Sequence, residues 1–513
     1  MINKILRKAE KGQAIVIIAV AMVGLIAMVG LMTDGGLLLI EYGKLKRAID
    51  SASVASAAQF RKGFSGADLA SAAQDFLRLN QSDAVNIVVS RCKADPNTGV
   101  IDNTADGTIH DTTLCTTPRR KLLRVEATRT VTFGFLRVIG INSTTISAAS
   151  VGEAASIDLV MVLDTSFSMA YETSGDPQKS DPGDDPALCN NARTCQPMED
   201  VKALAWDFVN ETMFFPYDRV AVVTMTSQSP NGFRESETPL VLSDDPIEVR
   251  TAIENIRVYE PPECETPYGT CRDTCTAAEI AAAGSDTGNP CYGRSPGYYL
   301  GEKCSARFTQ GYDRSSCGSS NIGGALYRAS GEFTRDPKRE DSFWVVIVIA
   351  GGPANASSPM PFLNPAPAWS DANSDGYPDH PNYFGFCPSS TWGPPVSAIS
   401  PPCRDADADS RHAQGNVAYD ADDYARDVAD NVADPVDGQG ITIFTIGLGE
   451  LVRFTTLGDP DAGEKLLEYI AETAGDSTGV TANHGFYSYS PDAAGLQVIF
   501  GKIAENIFTR IAQ

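Results

Sequence analysis

From Ala14 to Met32 the chain runs through nineteen consecutive apolar residues. At about 1.5 Å of rise per residue such a helix nearly matches a hydrocarbon core of about 30 Å, so a transmembrane helix is predicted over residues 14–33. A buried helix of a soluble domain would show a polar face, and none interrupts this run. A cleaved export signal has a shorter apolar region and a small-residue cleavage site directly after it, whereas Asp34, Gly35 and Gly36 follow here. Lys4, Arg7, Lys8 and Lys11 precede the run. That excess of positive charge predicts residues 1–13 in the cytoplasm and the bulk of a single-pass chain outside, although Lys44, Lys46 and Arg47 beyond the run weaken the bias.

The charge balance narrows the partners. Lys and Arg total 41 against 65 Asp and Glu, a formal charge of -24, which opposes attraction to phosphate backbones and argues against nucleic acid. Twelve cysteines suit an extracytoplasmic body. Cys92 with Cys115, Cys189 with Cys195, and Cys387 with Cys403 form short-range groups consistent with disulfide staples, while Cys264, Cys271, Cys275, Cys291, Cys304 and Cys317 allow many pairings. Cys271 and Cys275 also have zinc-ligand spacing, but no second close pair and no His partner accompany them.

Beyond the membrane, EYGKLKRAIDSASVASAAQF places Leu45, Ala48, Ile49, Ala52 and Ala55 at helical spacing, which predicts a stalk helix. AVNIVVSRC and KLLRVEATRTVTF then read as strands of a small α+β module, ending near residue 155. From residue 156 to 513 apolar strands alternate with helices. IDLVMVL, DRVAVVTMTS, SFWVVIVIAGG and GITIFTIGLG are the strands; EDVKALAWDFVNETM, NIGGALYRASGEF, DADDYARDVADNVA and AAGLQVIFGKIAENIFTRIAQ are helical. Unbroken apolar strands alternating with helices predict an α/β, doubly wound parallel sheet covered on both faces. Two Pro/Gly/Cys-rich insertions, about 259–318 and 353–416, interrupt it.

Two family resemblances follow. GQAIVIIAVAMVGLIAMVGLMTDGGLLLIEYGKLKRAIDSASVASAA and TFGFLRVIGINSTTISAASVGEAA resemble the pseudopilin-like region of TadE/TadG-like proteins of Tad-type pilus assembly, over about the first 155 residues. A prepilin peptidase substrate would carry Glu five residues after the processed Gly; Ile17 stands there after Gly12. The remainder resembles a von Willebrand factor A domain, whose D-x-S-x-S after the first strand forms a metal-ion-dependent adhesion site. Asp164, Ser166 and Ser168 match that motif, and Ser320, before NIGGAL, stands at the family's metal-binding Thr. The family's T-D-G after the fourth strand is replaced by Ala350, Gly351 and Gly352, so the second acid is missing. The resemblance implies Mg²⁺, or Mn²⁺ or Ca²⁺, held by oxygen ligands with one position open to a partner's acidic group. The bland alternative is that Asp164, Ser166 and Ser168 only cap turns.

A second cation motif lies in DANSDGYPDH. Asp371, Asn373, Asp375 and Asp379 alternate around Gly376, resembling short Asp-rich Ca²⁺ loops such as thrombospondin type 3 repeats; an ordinary Asx-turn loop fits the same residues. Asp405, Asp407 and Asp409 read as a solvated acidic turn. Enzyme signals fail. GRSPG matches a nucleophile elbow in outline, but Pro296 follows Ser295 and has no N–H for an oxyanion hole. GDPDAGEK lacks the adjoining Gly-Lys-Ser/Thr of a phosphate loop, and His110, His380, His412 and His484 show no ligand spacing. The expected function is therefore non-enzymatic: a membrane-anchored protein supporting Tad/Flp-type pilus assembly or cell-surface adhesion. Its partners would be a protein ligand with an acidic group or other envelope and pilus components. A pilin-like filament subunit with an adhesive tip domain is the alternative.

Overall fold

The computed structural model describes residues 2–60, 63–95, 98–172, 182–184, 186–226, 236–259, 265–266, 269–270, 277–285, 292–293, 320–354, 411–413, 421–454, 459–476 and 480–511. The chain divides into two compact units, Met1–Ser156 and Ile157–Gln513.

In the first unit, helix α1 (Ile2–Ala57) runs unbroken through the apolar run, Asp34 and the two glycines. It is the one described helix long and apolar enough to cross a membrane. Past the run Asp34 is buried, and further on the buried face is Glu41, Leu45, Ala48, Ile49, Ala52, Ser53, Ser56 and Ala57; Ala55, expected among them, is only half-buried. That stripe packs on helix α2 (Gly66–Asn80) and on a four-stranded sheet in the order β2-β1-β3-β4. The strands are β1 (Val85–Arg91), β2 (Ile109–His110), β3 (Lys121–Thr132) and β4 (Ser143–Ala154). Small residues on β4 let the helix come close: a Cβ on Gly152 would stand 2.2 Å from the Ser53 carbonyl oxygen, so only glycine fits there. Arg129 joins Glu41 of α1 to Asp83. Cys92 and Cys115 form the first disulfide.

The second unit is a six-stranded sheet of β5 (Ile157–Leu163), β6 (Arg219–Thr224), β7 (Glu237–Ser243), β8 (Phe343–Ala350), β9 (Thr442–Leu448) and β10 (Tyr487–Ser490). Their order is β10-β9-β8-β5-β6-β7, parallel throughout except that β7 runs antiparallel to β6. The expected all-parallel sheet is thus mixed. Its odd strand sits at an edge, the place in a sheet where a proline such as Pro239 is tolerated. Along β5, Leu159, Met161 and Leu163 face one core with helices α3 (Met198–Thr212), α4 (Pro246–Glu254) and α8 (Leu496–Ile511). Val160 and Val162 face the other, with α5 (Ile322–Thr334), α6 (Ala421–Ala433) and α7 (Ala462–Glu472). Burial on both faces is why the central strands β5, β6, β8 and β9 carry no polar alternation. Cys189 and Cys195 form the second disulfide, within this unit.

Candidate functional site

Strand order decides where a ligand can sit. Counted within the second unit, the order is 3-2-1-4-5-6, so the chain winds away in opposite directions from β5 and β8. The crevice beyond their carboxyl ends is the topological switch point of an open α/β sheet. Asp164 directly follows β5 and Gly351 directly follows β8.

The two are joined across that crevice. Asp164 Oδ2 accepts the Gly351 N–H at 2.7 Å and the Ser320 hydroxyl at 3.3 Å, and Oδ1 accepts the Ser166 N–H at 2.8 Å. Ser166 Oγ and Ser168 Oγ are 2.7 Å apart. Asp164, Ser166, Ser168 and Ser320 are all buried. The four residues singled out in the sequence are therefore together, although Ser320 is 156 positions from Asp164. Asp164 also closes an Asx-type turn onto Ser166, so the capping role and the clustering coexist.

No described Lys or Arg pairs with Asp164; its partners are neutral N–H and O–H groups. Burial pushes its carboxyl above the usual carboxylate range, against the N–H groups of Ser166 and Gly351 and the hydroxyls of Ser166 and Ser320, which favour the anion. At the far end of β5 the contrast is plain: buried Asp158 is held by Arg219 through Nε at 2.8 Å and Nη2 at 2.6 Å. One carboxylate at the sheet's carboxyl end is thus buried without a cation, and the other is neutralised by the chain itself.

The backbone at Gly351 is aimed into the same shell. A Cβ there would lie 3.4 Å from Asp164 Oδ2, 3.3 Å from Ser168 Oγ and 3.0 Å from Met169 Sδ. Any side chain at 351 would face the cluster. The donor set is all oxygen, the chemistry a hard cation takes.

Sequence reading missed the latch beside the cluster. Thr165 Oγ1 donates to the Thr226 carbonyl at 3.0 Å and accepts the Thr226 N–H at 3.1 Å, tying the loop after β5 to the end of β6. Its signal was an ordinary Thr between two motif residues. Asn321 caps α5 by accepting the Gly324 N–H at 2.9 Å, which fixes Ser320 at the helix start.

The other candidates fall elsewhere. Asp371, Asn373, Asp375 and Asp379, like Asp405, Asp407 and Asp409, lie outside the described residues, as do Ser295, His380, Cys271, Cys275 and the other insertion cysteines. His110 lies close to Cys92 and Cys115, but the disulfide takes both thiols. Its Nδ1 accepts the Lys93 N–H at 3.0 Å. His484 pairs with Asp476 at 2.8 Å, and the His412 N–H donates to Asp423 at 2.8 Å. Ala462, Gly463, Glu464 and Lys465 of GDPDAGEK form the first turn of α7, with Asp461 at its N-cap position.

No family model matches the sequence, and no curated protein does. Among solved structures, the PilB minor pilin from Streptococcus sanguinis is similar at 12% identity and TM-score 0.35, over 81% of this chain and 84% of that one. The pilus adhesin SpaC from Lactobacillus rhamnosus GG is similar at 11% identity and TM-score 0.36; 76% of this chain aligns with 33% of it. The von Willebrand domain of the type V pili tip protein Mfa5 from Porphyromonas gingivalis is similar at 15% identity and TM-score 0.33, over 70% of this chain and 97% of that one. Scores this low establish neither family nor role.

Proposed function

We propose that the protein is a membrane-held, extracytoplasmic binding protein of Tad/Flp-type pilus assembly or cell-surface adhesion. It engages an acidic group of a protein partner through a divalent cation at Asp164. The observation that carries this reading is a buried carboxylate whose partners among the described residues are neutral, ringed by three hydroxyls at the switch point of the sheet.

Mg²⁺ there would be held by Asp164 with Ser166, Ser168 and Ser320, the last after its hydroxyl proton turns away from Asp164 Oδ2. The cation would supply Lewis acidity toward an incoming carboxylate. One protein acid leaves a dication under-neutralised, so the resting affinity is low and the pull on a partner's acid is strong. The Ser166 and Gly351 N–H groups hold the carboxylate in place, and the Thr165 latch fixes the loop that carries it.

Calorimetric titration of the chain with Mg²⁺ and with Ca²⁺ tests the proposal against Asp164→Ala. Heat of binding in the parent and its loss in the variant are expected; coincident titrations would remove Asp164 as a metal centre. The filament-subunit reading draws on the unbroken α1, whose apolar run is exposed in the first unit at every residue from 14 to 33 except Gly30. Recovery of the protein in sheared filaments instead of the membrane fraction would favour it.

A further inference from the structure

The β3–β4 hairpin ends in GFLRVIGIN, Gly134–Asn142, a composition unlike the polar tips such turns usually carry. Leu136–Ile139 form a 3₁₀ turn closed by Gly140 at φ +90°. The turn leaves Val138 86%, Ile139 71%, Ile141 48% and Phe135 47% exposed. Adjacent exposed apolar side chains of this size mark an interaction surface. Arg137 is the one charged residue between Arg129 and Glu153.

The tip has a fixed level on α1. Buried Asp34 accepts the N–H groups of Gly134, Phe135 and Leu136 at 2.8, 3.0 and 2.7 Å. One helical turn earlier, about 6 Å along the axis, a Cβ on Gly30 would lie 2.8 Å from Phe135 Cβ. Gly30 belongs to the apolar run and is the sole buried residue of positions 14–33. The hairpin therefore reaches down the helix past the point where the run ends, and its apolar tip stands beside the last turn of that run.

We propose that this tip is a second membrane contact: Phe135, Val138, Ile139 and Ile141 enter the interface of the outer leaflet beside the spanning helix. The proposal rests on residues 14–33 spanning a bilayer. Lipid is the occupant because the surface is continuous with the part of α1 that hydrocarbon covers. The Arg137 stem lies along the apolar layer, and its guanidinium reaches lipid phosphate. Asp34 at this depth is satisfied by three backbone N–H groups, which makes a carboxylate tolerable at the membrane edge. With helix and tip both seated, the small β module is held against tilting on a single anchor.

Photocrosslinking in phosphatidylcholine proteoliposomes tests this with the full chain carrying p-benzoylphenylalanine in place of Val138, Ile139, Ile26 or Val100. Ile26 is exposed in the middle of the run; Val100 is exposed beyond β1, near the opposite end of β3 from the tip. Lipid adducts at 138 and 139, within a few-fold of the yield at 26 and well above that at 100, are expected. Adducts at 26 with only background at 138 and 139 would overturn the proposal while leaving the anchor intact. Protein–protein adducts at 138 and 139 would overturn it in favour of a second copy of the chain. Absence of lipid adducts at 26 would overturn the anchor reading and the proposal with it.

Discussion

The cost of Gly351→Asp should shrink when the cation is present. The new carboxylate extends from a Cβ already 3.4 Å from Asp164 Oδ2, so the two charges stand about 4 Å apart and repel by about 4 kcal/mol at an effective dielectric near 20. A proton taken by the new acid costs about 4 kcal/mol at pH 7 if its pKa is an ordinary 4, and less if Asp164 takes it, since burial already raises that carboxyl, so about 4 kcal/mol is the ceiling. Met169 Sδ must also yield to the Cβ, adding about 1 kcal/mol of overpacking. In chelator the second unit should then melt roughly 5–10 °C below the parent. Millimolar Mg²⁺ offsets part of that cost, because the two acids now face a dication, and occupancy at 100 times Kd returns about 2.7 kcal/mol. Scanning calorimetry of the detergent-solubilised chain, in chelator and in Mg²⁺, reads both numbers. The variant should gain more from Mg²⁺ than the parent does. Equal destabilisation in both buffers would refute the reasoning, since it would mean the added group only crowds the site and no cation enters.

Two further outcomes concern the first unit. Asp106 contacts Arg91 at 2.8 Å and Lys93 at 3.0 Å; burial opposes its charge, but Thr108, Arg91 and Lys93 hold its carboxyl far below the usual range. A depressed folded pKa gives stabilisation that is complete above the unfolded value near 4 and is lost as pH falls below it, so Asp106→Asn should cost about 2–4 kcal/mol at neutral pH and flatten the acid limb, read by amide exchange in β1 and β3. Replacing Cys92 and Cys115 together by Ala frees a loop of sequence separation 23 and should lower the stability of that sheet by about 3 kcal/mol, read by urea titration.

Local pattern was enough wherever one segment's own periodicity specified it. The unbroken apolar strings of β5, β6, β8 and β9 require cover on both faces, and the run at 14–32 is helical in any apolar solvent. The Cys189–Cys195 pair was legible because six positions of separation leave little else within reach. Strand β7 was not, because Pro239 interrupts ETPLVLS, and α7 was hidden behind the turn-forming Gly-Asp-Pro-Asp that precedes it. Strand β10 is four residues long, too short for a period to show.

The sequence by itself determined which residues carry oxygen, charge or apolar bulk, and that a carboxylate stands at the end of a buried strand. Only the tertiary structure decided that this strand lies beside β8. That adjacency aims the Gly351 N–H and the Ser320 hydroxyl at Asp164. It likewise decided that Phe135 reaches Gly30. Periodicity is a property of neighbours along the chain, whereas strand order and hairpin length bring together residues more than a hundred positions apart, and no local pattern encodes that distance.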